Sequence, residues 1–107
     1  MRQPRVEILY FAGCPNHEQA HDLVERTASE LRLRPEVELV EIHDSESAAR
    51  LRFLGSPTVR VDGRDIEPGA EQRNEFVLSC RMYRSEQGLA GQPDEAWIRN
   101  ALAEAAR

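Results

Sequence analysis

Residues 5–17 read RVEILYFAGCPNH, and this stretch decides the fold. Arg5–Phe11 is rich in β-branched and aromatic residues and is bounded by Pro4 and Gly13. It reads as a strand buried on both faces. Ala12–Gly13 then turns the chain, and Cys14-Pro15 opens a helix. Proline is tolerated at a first helical position because the N–H it lacks would find no intrahelical partner there.

Working outward, Ala20, Leu23, Val24, Thr27, Ala28 and Leu31 recur at helical spacing between Asn16 and Leu33, and Pro35 bars continuation. Val37–Ile42 is a second strand. Asp44 or Ser45 caps a short helix running to about Leu54 and closed by Gly55. Asp62-Gly63 lies between the β-like runs Pro57–Val61 and Arg64–Ile66, a strong hairpin signal because a type I′ turn needs positive φ. In the long stretch Glu67–Gln92, Phe76–Tyr83 alternates well enough for a strand, and Gly88–Gly91 reads as a turn. Trp97, Ile98, Ala101, Leu102 and Ala105 form the stripe of a last helix over Pro93–Ala106. Helices between strands imply a parallel first pair, and the hairpin adds an antiparallel one. The fold class is therefore α/β, a mixed four-stranded sheet flanked by three helices, with an extra segment before the C-terminal helix.

At 107 residues there is room for one domain, 1–107, and a hydrophobic share of 40% can furnish a modest core. The net charge of -5 argues against nucleic acid and anionic membrane as partners. All 14 basic residues are Arg. Val6–Phe11 is too brief for a signal core or a membrane span, so the expected setting is a bacterial-type cytoplasm. Two cysteines are too few for a disulfide framework, and each is read first as a thiol.

The element order, together with Cys14-Pro15-Asn16-His17, Gly55-Ser56-Pro57-Thr58 and Val61-Asp62-Gly63, resembles the thioredoxin and glutaredoxin superfamily. The match covers roughly Arg5–Ile66 plus the final helix. It implies a cis Pro57 lying against an active Cys14, with Ser56, Pro57 and Thr58 shaping a groove for an extended peptide or thiol adduct. It also implies a thiol–disulfide oxidoreductase that needs no cofactor and acts on a protein or glutathione thiol or disulfide. His17 stands where a second box cysteine belongs, and Gly13 replaces the tryptophan common before the first. A further likeness, through the lone box cysteine and the later Ser-Cys-Arg segment, is to sequences grouped with organomercurial-lyase neighbours.

The residues themselves argue for chemistry at Cys14. A thiol at a helix head faces unsatisfied N–H groups and the positive end of the dipole, which stabilise thiolate. His17, three residues on, is placed to donate to the sulfur or carry its proton. Cys80 has two readings. It is a displaced resolving cysteine for Cys14, or it is core, because Leu78, Cys80 and Met82 share one face of the expected strand. Cys14, His17 and His21, completed by Cys80, offer a softer zinc or mercury-type set for a non-catalytic binding module. His43 reads as structural, and Arg81 and Arg84 read as solvated surface charges that could meet a glutathione carboxylate. Oligomeric state is left open, with an exposed edge strand in the extra segment as one route to a dimer.

Overall fold

In the computed structural model, which describes residues 2–107, the elements follow the expected order. Strand β1 (Arg5–Tyr10) leads to helix α1 (His17–Glu30), then strand β2 (Glu36–Glu41) and helix α2 (Ser45–Arg50). Strands β3 (Thr58–Val61) and β4 (Arg64–Asp65) form the hairpin, and a 3₁₀ turn spans Ala70–Gln72. Strands β5 (Tyr83–Ser85) and β6 (Gly88–Ala90) precede helix α3 (Glu95–Ala105). The four-stranded sheet has the order β2-β1-β3-β4, and β5 and β6 form a separate two-stranded ribbon.

β1 pairs with β2 in parallel from Arg5↔Glu36 to Tyr10↔Glu41, the arrangement a helical crossover through α1 requires. It pairs with β3 antiparallel from Val6↔Val61 to Leu9↔Thr58. The β3–β4 turn carries φ of 50° at Asp62 and 84° at Gly63, as a type I′ connection demands. Side chains of β1 alternate between two apolar clusters. Val6 and Ile8 pack with Ala20, Val24, Ile98 and Leu102, so α1 and α3 cover that face. Leu9 packs with Ile42, Ala48 and Phe53, so α2 covers the other. The radius of gyration, 13.0 Å, is what a compact domain of this length should show. Among the described residues no helix is long and apolar enough to cross a membrane.

Several boundaries differ from the sequence reading. α1 begins at His17 with Asn16 as its N-cap, so Cys14-Pro15 lies just ahead of the helix instead of inside it. α2 stops at Arg50, and Arg52 takes a positive φ of 56° well before Gly55. β2 is a sheet edge, with Glu36, Glu38 and Leu39 exposed. The expected strand over Phe76–Tyr83 is replaced by an extended segment of bends, and strand pairing starts only at Tyr83. Gly88–Ala90 is a strand, and the turn falls at Glu86–Gln87.

Candidate functional site

β1 ends in a tight turn, closed by the Cys14 amide donating to the Phe11 carbonyl at 3.0 Å. The Asn16 amide, one of the free N–H groups at the head of α1, donates to Cys14 Sγ at 3.4 Å. Asn16 makes no side-chain cap of its own, and the sulfur accepts the N-cap residue's own amide. Cys14 is only 4% exposed. His17 does not reach the sulfur. Its Nδ1 sits 3.0 Å from the Cys14 carbonyl oxygen, and its ring stacks on Tyr10 at 4.2 Å. A carbonyl only accepts, so Nδ1 is the donor there.

The antiparallel register carries the other half of the site to the same end of the sheet. The ladder ends with Leu9 facing Thr58, so the chain that runs on to Cys14 and the chain that arrives through Ser56 and Pro57 meet the sheet at the same end. The Ser56–Pro57 peptide bond is cis. Both backbone groups of Ser56 are engaged by the segment that carries Cys80. The Ser56 amide donates to the Ser79 carbonyl at 2.8 Å, and the Arg81 amide donates to the Ser56 carbonyl at 2.9 Å. Together they make a parallel bridge between Ser56 and Cys80. Upstream, the Val77 amide donates to the Phe53 carbonyl at 3.0 Å. Downstream, the Tyr83 hydroxyl donates to the Pro57 carbonyl. Residues 76–83 thus form a strap laid along Phe53–Pro57.

The strap is held by a buried charge. Arg81 is 2% exposed, and its guanidinium donates to both oxygens of Asp65, to Glu67 Oε1 at 2.9 Å and to Thr58 Oγ1 at 3.0 Å. It also lies over the Tyr83 ring, 4.3 Å from the centroid. Burial by itself would pull the Arg81 pKa down, but Tyr83, Asp65 and Glu67 outweigh it and raise the net value, so the group stays charged. Burial pushes the Tyr83 phenol well above the ordinary tyrosine range, which keeps it a donor. The strap approaches so closely that a Cβ added at Gly55 would stand 2.8 Å from Arg81 Cβ and 3.2 Å from the Ser79 carbonyl oxygen.

Parity along the strap is therefore opposite to the sequence expectation. Arg81 and Tyr83 point inward, while Leu78, Cys80 and Met82 are exposed, Met82 at 55%. Cys80 is not core, and Arg81 is not a solvated charge. Arg84 is exposed, as expected. Both cysteines are free thiols. Ser56, Pro57 and Thr58 are all buried, and Thr58 Oγ1 donates to the Gly55 carbonyl at 2.6 Å. The groove-forming backbone expected at Ser56 is occupied by the chain's own strap. Cys14, His17, His21 and Cys80 do not form a metal centre: among the described residues no three His, Cys, Asp or Glu side chains converge on a point. His21 instead pairs with Glu25 at 3.1 Å, and His43 with Glu41 at 3.4 Å.

The sequence reading missed the roles of Asp65 and Glu67 and the inward-facing Arg81. The one available signal was that Arg81 and Tyr83 share a face opposite to Cys80, and it was outweighed by the apolar Leu78 and Met82. No protein-family model matches the chain, and no curated protein matches it.

Proposed function

We propose that the chain is a thioredoxin-like, thiol-based redox protein in which Cys14 and Cys80 form a working dithiol pair. The observation that carries this reading is the Ser56–Cys80 bridge, which ties the Cys80 segment to the sheet end where β1 turns through Cys14 into α1. The Asn16 amide, donating to Cys14 Sγ, holds that sulfur at the head of α1.

Burial favours an order of events opposite to the sequence expectation that Cys14 attacks and Cys80 resolves. Cys80 is exposed and Cys14 is buried, so a disulfide arriving from solution meets Cys80 first. The Cys80 thiolate attacks one substrate sulfur, forming a mixed disulfide and releasing the other substrate sulfur as a thiolate. The Cys14 thiolate then attacks the Cys80 sulfur, forming the Cys14–Cys80 disulfide and releasing the second substrate thiol. The substrate gains two electrons and the protein loses two. Two molecules of a monothiol such as glutathione, leaving as their disulfide, or one protein dithiol, leaving as its own disulfide, reset the pair. His17 orients the Cys14 turn through the carbonyl and leaves Nε2 free for a proton.

Mild oxidation with diamide followed by peptide mass spectrometry tests the pair. An intramolecular Cys14–Cys80 peptide is expected, lost in Cys14→Ser and Cys80→Ser. Oxidation that gives only Cys80-linked dimers, with Cys14 untouched, overturns it.

A second reading has one observation in its favour. The strap already fills the backbone of Ser56, so the domain could serve as a binding module whose partner recognises the strap itself. In that case the same treatment forms no Cys14–Cys80 link.

A further inference from the structure

A cavity of about 200 Å³ opens beside the β3–β4 hairpin. Leu54 and Phe76 contribute apolar wall, and Arg52, Arg60, Arg64 and Arg73 line the rest. Four cations on one hollow stand out in a chain whose net charge is -5.

Their commitments differ. Arg73 is engaged by Glu67 and Glu75. Arg60 is half-buried and its Nη2 donates only to the Leu51 and Arg52 carbonyls, at 2.6 and 3.2 Å. Among the described residues it forms no salt bridge. Asp65, opposite it in β4, gives both oxygens to Arg81, and Glu7, opposite it in β1, makes no ion pair with it. Arg52 lies over the Phe76 ring, 4.8 Å from the centroid, and Arg64 is exposed; neither forms a salt bridge among the described residues. Glu71 and Asp65 also line the hollow, so cations outnumber carboxylates there, and one of those carboxylates is already neutralised.

Burial of the Arg60 guanidinium is costly and pulls its pKa down, and attraction to Asp65 and Glu7, neither of which pairs with it directly, offsets only part of that cost. A guanidinium fork matches the oxygens of a phosphoryl group, donating two parallel N–H bonds. We propose that this hollow binds a small phosphoryl anion, either free phosphate or the phosphate of a monoester, with Arg60 and Arg64 as its ligands and Arg52 at the rim. The site is independent of the two thiols.

Titrating the reduced protein with inorganic phosphate, against sodium chloride at equal ionic strength, and following amide and arginine Nε shifts by NMR tests it. Saturable shifts confined to residues 52–54, 60–65 and 71–76 are expected with phosphate and not with chloride. Arg64→Gln, at an exposed position without a salt bridge, should fold normally and weaken binding about tenfold, the scale of a lost charge-assisted hydrogen bond. Phenyl phosphate binding tighter than phosphate identifies a monoester ligand, whereas equal or weaker binding identifies the free ion. Shifts that chloride reproduces, shifts that never saturate, or an Arg64→Gln protein that binds phosphate as the parent does would overturn the proposal.

Discussion

The guanidinium of Arg81 grips the carboxylate of Asp65 in a two-pronged contact, Nη1 to Oδ2 at 2.8 Å and Nη2 to Oδ1 at 3.2 Å, across 16 residues of chain. Both side chains are nearly or fully buried, and Glu67 shares the same guanidinium. Asp65 sits on β4 and Arg81 on the strap, so this pair pins the Cys80 segment to the hairpin. Breaking a buried pair from one side leaves an uncompensated charge, typically at a cost of about 3–5 kcal/mol. Arg81→Met should lose stability on that scale in urea unfolding. Adding Asp65→Asn should recover part of it, because the stranded carboxylate is then neutral. An Arg81→Met protein as stable as the parent would mean that the pair contributes nothing net.

Gly55 should be as sensitive for a different reason. Its φ is +122°, and a Cβ there would meet Arg81 and Ser79 on the strap at 2.8 and 3.2 Å. Gly55→Ala is therefore expected to lift the strap, at a cost of about 1–3 kcal/mol. Limited proteolysis within residues 74–82 should accelerate while the sheet core keeps its circular dichroism signal. Unchanged cleavage would show that the strap tolerates the extra carbon.

Thiol access makes a third expectation. In the native, reduced protein one thiol should react quickly with Ellman's reagent, and Cys80→Ser should remove that fast phase, because Cys14 is 4% exposed. In the parent a second equivalent of thionitrobenzoate should follow as Cys14 displaces it from Cys80, whereas in Cys80→Ser the Cys14 thiol should react only after unfolding. A fast phase that survives Cys80→Ser would place Cys14 in reach of solvent and reverse the order of attack proposed above.

Helix α3 carries Ile98 and Leu102 into the main cluster, and its first turn depends on Asp94, whose carboxylate accepts the Ala96 amide at 2.8 Å. Asp94→Ala should cost about 1 kcal/mol, as lost N-caps do, whereas Asp94→Asn should be nearly silent. Thermal unfolding of the two variants side by side separates capping from charge.

Acid sensitivity follows from two other carboxylates. Asp44 is held below the usual range by the Ser47 amide, and Asp62 by the Arg2 side chain and the Arg5 amide. A depressed carboxylate contributes its full stabilisation above its unfolded pKa, about 3.9, and loses it as pH falls through the lower folded value. The parent should therefore lose stability as pH falls below about 4, and Asp44→Asn/Asp62→Asn should lose less of it. Parallel acid titrations monitored by circular dichroism provide the check; identical curves would remove both groups from the account.

Much of the architecture was legible before any coordinates. Arg5–Tyr10 announced itself by its β-branched run, Asp62-Gly63 by its turn chemistry, and Trp97–Ala105 by its helical stripe. These are local signals, set by neighbours a few residues away. The strap resisted the same approach. Leu78, Cys80 and Met82 look like an inward face by hydrophobicity, yet Arg81 and Tyr83 occupy it because Thr58, Asp65, Glu67 and the Pro57 carbonyl wait on the other side.

The sequence by itself determined the order of the four sheet strands and the three helices, the hairpin, and a cysteine at the threshold of the first helix. Such features arise from backbone preferences and apolar periodicity that act over one or two turns of chain. Only the tertiary structure decided which face of residues 76–83 turns inward, and hence that Cys80 meets solvent while Arg81 is enclosed. That choice rests on partners 14 to 25 positions away, at Ser56, Thr58, Asp65 and Glu67. A buried guanidinium is tolerated only where carboxylates are already in place to receive it.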